Sequence, residues 1–267
     1  MQEFVPSGVI TLTTDFGHKG VFAGTMKGQL LKRFPDARIV DLTHEILAHW
    51  PEEAGFWLAR AHKYFPDGTV HVAVVDPGVG TKRDIIAVET QSHLFLAPDN
   101  GLLGSLVQKY EGRIHRLDMT RLDRFGIHKP SFTFHGRDIF APLAAELAAG
   151  RINAGDLGPV TETIVPRWLE APQVKDGAIS GVVITADSFG NLITNIDESL
   201  ISGIVQPVVL AGGRQFAVRE TYADVKPGEY LALVNSFDVL EIACAERSAA
   251  ERLGLGRGAP VSVRPLD

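Results

Sequence analysis

The chain has a single cysteine, Cys244, among 267 residues. A lone thiol excludes an intramolecular disulfide and any zinc site built from several thiolates. Its setting, EIACA, reads as the interior of a strand, so Cys244 is expected to pack rather than react. No stretch approaches the ~20 consecutive apolar residues that a membrane-crossing helix needs. No basic run exceeds two residues, and 26 Lys and Arg stand against 32 Asp and Glu, which speaks against nucleic acid as a partner. The N-terminal stretch MQEFVPSGVITLTTDFG lacks the positive region and apolar run of a signal peptide, so the expected location is cytoplasmic. Several familiar signatures are missing too: Walker, GxSxG, GxGxxG, HExxH and Cys-rich metal patterns. What remains is a globular composition, 45% hydrophobic and 22% charged, large enough to hold its own core without a disulfide or metal. The net charge of −6 suits a small cationic or zwitterionic ligand.

The first half alternates strand-like and helix-like segments. Residues 9–13 (VITLT), 38–42, 69–75 (TVHVAVV), 84–90, 94–96 and 113–117 read as strands. Helices are expected over 20–34, 51–65, 102–110 and 139–149, the second with Pro51 at its first position and acids in its first turn. That alternation predicts an α/β domain with a largely parallel sheet, whose ligands would sit beyond the carboxyl ends of the strands. Residues 157–176, with Pro159, Pro166 and Pro172, read as a linker. Beyond them come short strand candidates at 178–186, 192–196, 205–210, 215–219, 230–234, 239–243 and 260–264, with one helix at 248–253. This spacing predicts a smaller antiparallel β-barrel or sandwich. Two domains are therefore expected, 1–165 and 166–267.

Candidate chemistry gathers at the turns. Asp15, in TTDFG, fits an Asx-type turn or helix cap, and equally a carboxylate accepting from ribose hydroxyls. Asp76 opens DPGVG; the Pro and Gly suit a plain turn, while Gly78 and Gly80 would also admit a ligand close to the backbone. Arg83 lies close enough in sequence to fold back and keep Asp76 ionised. His135, in FHGRD, stands at a loop-to-helix junction, where functional histidines are often found. Asp187 and Asn191 bracket DSFGN, which reads as a hairpin or bulged turn, while Asn191 also offers the donor and acceptor groups needed to read an adenine edge or an amino acid head group. Asn235-Ser236 fits a turn between strands. Trp50 would anchor a helix start or offer a flat face to a base or sulfonium methyl.

Taken in order, TTDFG, HW, DPGVG with Arg83, APDNGLL, FHGRD, DSFGNLITNI and NSFDVLEIA resemble the S-adenosyl-L-methionine (SAM) hydroxide adenosyltransferases. These are the water-using relatives of the enzymes that form carbon–fluorine and carbon–chlorine bonds from SAM. The resemblance runs from about Ile10 to Val263. It implies an N-terminal α/β domain, a C-terminal β-barrel, and a homotrimer holding SAM between one subunit's N-terminal domain and its neighbour's C-terminal domain. It also implies hydrolysis of SAM to adenosine and methionine with neither metal nor cofactor. By position, Asp76, Arg83 and His135 match the water-activating set, Asp15 the ribose-binding acid, and Trp50 the wall beside the methionine part. Asp187, Asn191, Ser236 and Glu241 fall in the stretches that bind the methionine and adenine ends. Phe237 stands where a small residue is expected, and Ala245 where relatives often carry Asn. The halide-using relatives carry Tyr and Ser-type residues where this chain has Asp76 and Gly136, so water fits better than halide. Three other readings stay open at this point: a halide-using enzyme, a non-catalytic SAM or adenosine sensor, and a metal-dependent phosphoester hydrolase built on Asp15, Asp76, His135 and Asp138.

Overall fold

The computed structural model describes residues 4–266, and the chain divides into two compact units, Met1–Leu169 and Glu170–Asp267. The first carries strands β1 (Val9–Thr14), β2 (Arg38–Thr43), β3 (Thr69–Val74), β4 (Ile85–Glu89), β5 (His93–Pro98) and β6 (Arg113–Arg116). They form one sheet in the order β2-β1-β3-β5-β4-β6. Parallel pairing joins β1 to β2, β1 to β3 and β3 to β5, while β4 runs antiparallel to β5 and β6. The sheet is thus mixed, with one reversed strand in a largely parallel array. The reversal follows from chain length: only Thr90, Gln91 and Ser92 separate β4 from β5, which allows a hairpin but no crossover. Thr90 closes that hairpin, its hydroxyl accepting from the His93 N–H at 3.0 Å.

Helices α1 (Phe22–Arg33), α2 (Pro51–Ala61), α3 (Gly104–Lys109) and α4 (Ala141–Ala148) cover both faces. Alternation along the strands decides which side chain goes where. Ile10, Leu12, Val70, Val72 and Val74 pack with Met26 and Leu30 of α1 and with the apolar residues of α4. Ala73, Val75, Phe95 and Ala97 face the other way, onto Leu58 of α2 and Leu106 of α3. The helix expected to run to Phe65 stops at Ala61 and tightens into a three-residue turn, His62–Tyr64. Pro66 keeps the helix from reaching Phe65, whose backbone is extended, since a following proline disfavours helical conformation there. The expected linker is largely bonded to the first unit. Thr161 N–H reaches Ile114 O at 2.8 Å, Val165 N–H reaches Asp99 Oδ1 at 2.8 Å, and Trp168 N–H reaches the Glu52 carboxylate.

The second unit holds β7 (Gln173–Lys175), β8 (Ala178–Ala186), β9 (Leu192–Asp197), β10 (Pro207–Ala211), β11 (Arg214–Ala217), β12 (Tyr230–Val234), β13 (Val239–Cys244) and β14 (Pro260–Pro265). Its order is β11-β10-β14-β8-β9-β13-β12, all antiparallel, with β7 beside β8. The two ends approach through a parallel bridge between Val218 and Ala232, where Arg219 N–H donates to Ala232 O at 2.8 Å. The result is a nearly closed barrel around Val183, Val209, Phe216, Leu240 and Val263. Cys244 is buried there, its Sγ 3.4 Å from Arg252 Nη1. Helical turns beyond the expected one occur at Glu198–Ile201 and Tyr222–Asp224.

One buried cluster in the first unit bears on stability. His62, His71 and His93 pack edge-on or stacked among Phe95 and Tyr110, with His71 Nδ1 2.7 Å from Thr11 Oγ1 and His71 Nε2 3.3 Å from His93 Nδ1. Burial holds all three imidazoles below their ordinary range, His71 far below it. Well above pH 6.5 they are neutral whether folded or not and contribute no slope. Below it, the unfolded chain binds protons that the native state excludes, so stability falls as pH falls, by up to ~1.4 kcal/mol per pH unit for each histidine. Denaturant titrations between pH 7.5 and 5 should show that decline. His71→Asn, which keeps an acceptor for Thr11 but cannot titrate, should reduce its slope by about one proton.

Candidate functional site

The strand order places β1 between β2 and β3, so the chain leaves β1 in one direction and departs from β3 in the other. In open α/β sheets such a switch point forms a crevice at the carboxyl ends of the strands. Thr14 pairs with Val74 across these two strands. Asp15 and Asp76, one and two residues further on, therefore emerge side by side at that crevice.

Asp76 is nearly buried, its side chain 5% exposed, and it faces Arg83, 10% exposed. Arg83 Nε donates to both carboxylate oxygens at 3.0 Å, and Nη2 donates to Oδ2. The same Nη2 lies 2.8 Å from His135 Nδ1. A guanidinium only donates, so Nδ1 must be an acceptor, and the ring's single proton then sits on Nε2. Burial, and next the Arg83 charge, keep His135 below the ordinary imidazole range; Asp76 and Asp138 pull the other way without offsetting them. The ring is neutral near pH 7.

His135 reaches this position because the chain makes a wide five-residue turn, Gly136–Phe140, before α4 begins. Asp138 anchors the turn, accepting from Arg137 Nε at 2.6 Å and from Ser131 N–H at 2.9 Å. A β-carbon on Gly136 would stand 3.2 Å from Phe16 and 3.3 Å from Phe134, so this glycine lets the His135 turn close on the TTDFG turn. Phe134 meets Phe16 and Phe22 edge-on around it, and Phe16 and Phe22 are tilted to each other, with centroids 5.4–6.2 Å apart. Across the site, Gly80 sits at φ +78°, and its β-position lies 2.3 Å from the Phe132 carbonyl oxygen. The DPGVG loop and the segment before His135 thus press together through backbone alone.

Asp15 Oδ2 accepts the His49 N–H at 3.0 Å. His49 holds φ +64°, a left-handed conformation uncommon outside glycine. Trp50 follows at the N-cap of α2, half-buried. Within the first unit, then, Asp76, Arg83 and His135 converge, and Asp15 lies at the neighbouring strand end beside the loop that carries Trp50.

The second unit holds its own polar cluster. Asp187 Oδ1 accepts from Phe189 N–H at 2.9 Å and Asn191 N–H at 2.8 Å, and its Oδ2 accepts from Asn191 Nδ2 at 3.0 Å. Glu241 is buried in the apolar strand VLEIAC, accepting from Tyr222 Oη at 2.5 Å and Asn235 Nδ2 at 3.1 Å. Burial raises the Glu241 carboxyl above its ordinary range against those two hydrogen bonds, helped by the nearby charge of Asp187. Burial and Glu241 together raise the Tyr222 phenol strongly. Ser236 is exposed in the turn after Asn235, and Ala245 is buried, its N–H on Glu229 O at 3.0 Å. Tyr222 was not legible as a member of this cluster; a glutamate in the middle of an apolar strand was the only sign that a buried partner was required. Asp76 and Asp138 each face a guanidinium. Among the described residues no group of three or more His, Cys, Asp or Glu is placed to hold a metal ion.

The α/β unit and the nearly closed antiparallel barrel correspond to the two domains of the SAM hydroxide adenosyltransferase family. The model of that family's N-terminal domain matches residues 10–158 and that of its C-terminal domain matches 181–262, and the chain belongs to this family. More particularly, it is 39% identical over 256 residues to the (R)-S-adenosyl-L-methionine hydrolase of Salinispora tropica, covering 95% of this chain and 96% of the relative. It is 37% identical to the protein of the same name from Thermus thermophilus, over 93% of this chain and 96% of the other. Fluorinases lie further off, at 27% identity over 72% of each chain for that of Actinoplanes sp.. The crystal structure of an uncharacterized conserved protein from Thermotoga maritima superposes with a TM-score of 0.88 at 34% identity, covering 96% of this chain and 99% of that one.

The loop packing separates two glycines only two residues apart. Gly80→Ala forces both a left-handed alanine and a backbone clash, and should lower unfolding free energy by about 2 kcal/mol or more. Gly78→Ala, which has no positive φ and whose β-carbon would meet only side chains, Arg83 Cγ nearest at 3.3 Å, should cost clearly less than Gly80→Ala. Urea unfolding of the two variants checks the difference.

Proposed function

We propose that this chain hydrolyses S-adenosyl-L-methionine to adenosine and L-methionine, with preference for the R configuration at sulfur that its relatives' names specify. The observation that carries this reading is the single guanidinium that holds both the Asp76 carboxylate and the His135 ring at the mouth of the β1/β3 crevice. The sulfonium is already a good leaving group, so its departure requires no acid and no cofactor. What the reaction lacks is a nucleophile held in line with the C5′–S bond, and positioning alone is worth roughly 7–11 kcal/mol.

The tautomer assigns the roles. His135 Nδ1 is engaged by Arg83, leaving Nε2–H as a donor that orients a water oxygen. Asp76, fixed by Arg83 yet acceptor-only, receives the water's proton. The water oxygen then bonds to C5′, the C5′–S electron pair passes to sulfur, and the positive charge there disappears. Asp15 and Trp50 would hold the ribose and methionine portions. Asp187, Asn191, Ser236 and Glu241, from the barrel unit, would hold the methionine and adenine ends. We further infer a cytoplasmic, metal-independent homotrimer in which these two groups of residues come from neighbouring subunits. A subunit count by light scattering tests the assembly.

Incubation with separated sulfonium epimers, followed by chromatography for adenosine, tests the activity. Formation of 5′-halo-adenosine in fluoride or chloride would assign a halide nucleophile instead, and tight adenosine binding without turnover would assign a sensor.

Asp76→Ala and His135→Ala should each slow turnover by two to four decades while SAM still binds, as measured by single-turnover kinetics and calorimetry. The pH profile should follow from the neutral His135. A proton on Nδ1 abolishes its bond from Arg83 and sets two cations face to face, so turnover should fall on the acid side. Its apparent pKa should lie below the ordinary 6.5 of histidine. His135→Gln should remove that acid limb.

A further inference from the structure

The turn that carries Asp15 is held from behind by a buried polar relay outside the reacting set. Thr14, fully buried, ends β1; its hydroxyl oxygen accepts the Phe16 N–H at 3.2 Å and lies 2.7 Å from His44 Nδ1. His44, 1% exposed, brings Nε2 to 3.1 Å from Asp41 Oδ1, an ion-pair separation without hydrogen-bond alignment. Lys27 donates to the other oxygen of that carboxylate at 2.5 Å. The backbone of the same segment closes on the turn from both sides. Gly17 N–H donates to His44 O at 2.7 Å, and Ile46 N–H donates to Thr14 O at 3.3 Å.

Proton positions in this relay are determined by its ends. The negative charge of the Asp41 carboxylate, 3.1 Å from Nε2, favours the proton on that nitrogen. Burial keeps the ring below the ordinary imidazole range, in its neutral form. Nδ1 is then a bare acceptor, and the Thr14 hydroxyl donates to it. With its one proton spent on His44 and its oxygen receiving Phe16 N–H, Thr14 has a single rotamer, and the backbone at Asp15 is fixed between two bonded neighbours. Among the described residues Asp15 itself is caught only by the His49 N–H on one oxygen, so the direction of its carboxylate depends on that backbone.

We infer that His44 is a positioning residue for substrate: through Thr14 it aims the Asp15 carboxylate at the ribose hydroxyls of an adenine nucleoside. This rests on the reading of Asp15 as the ribose acid. Charge-assisted hydrogen bonds of that kind are sensitive to direction and strong enough to set a preference of ten-fold or more between a ribose and its deoxy counterpart.

Calorimetric titration with adenosine and with 2′,3′-dideoxyadenosine gives the preference directly, as a ratio of affinities. A variant that merely loosens the fold weakens both nucleosides alike and leaves the ratio unmoved. His44→Gln, whose amide reaches toward Asp41 but not Thr14, and Thr14→Val, which lacks the hydroxyl, should each shrink the ratio at least about five-fold. His44→Asn, with its amide at the Nδ1 position, and Thr14→Ser should restore it to within about two-fold of the unmodified protein. Asp15→Ala should abolish the preference. A ratio unchanged in His44→Gln and Thr14→Val, but lost in Asp15→Ala, overturns the role of His44 and spares that of Asp15. A ratio unchanged in Asp15→Ala overturns the ribose reading, and the positioning role falls with it.

Discussion

One guanidinium determines the state of everything around it. Arg83 presents only donors, in a planar fork, and faces a carboxylate and an imidazole at once. The carboxylate is thereby held in one orientation, and the imidazole is left with one possible tautomer. Neither Asp76 nor His135 is exposed enough for water to relax these choices. A lysine at this position would supply charge without the fork that spans both partners.

Supporting structure converges on the same point from different elements. Parallel pairing of β1 with β3 sets two acidic turns at one height, and a glycine without a side chain allows the His135 turn to close against Phe16. Gly80 brings the DPGVG loop onto the Phe132 carbonyl. These are backbone and packing constraints, so the arrangement is built before any substrate arrives, as preorganised catalysis requires. The barrel unit adds a buried glutamate satisfied by a phenol and an amide, a second preformed polar cluster with its own internal partners.

Fold class was readable in the chain because periodicity and turn residues act locally. Alternation of strand and helix in the first half, and regularly broken short strands in the second, specify an α/β unit and an antiparallel barrel. The reversal of β4 was not read, although the three residues between β4 and β5 already demanded a hairpin. The proline-bearing stretch after Leu157 looked like a linker because it has no period. Its amides nonetheless find Asp99 and Glu52, acids 66 and 116 residues earlier respectively. Of the site residues, Asp15, Asp76, Arg83 and His135 could be named from their turns, and an ordered set of motifs gave them roles. The Thr14–His44–Asp41 relay and Tyr222 could not be named: each depends on contacts between distant segments and has no local signature.

The wide turn at Gly136–Phe140 has a consequence for how this site can change over time. An ordinary helix would tie the direction of His135 to the apolar stripe of α4, because both would share one angular period. The extra residue in the turn breaks that phase, with the Ala141 amide reaching back five positions to Gly136 instead of four. Residues of α4 that fill the core and residues that aim the imidazole therefore answer to separate requirements. Drift in the packing of the helix need not rotate the ring, whereas deleting one residue from the turn would rotate it about a quarter of a revolution away from Arg83.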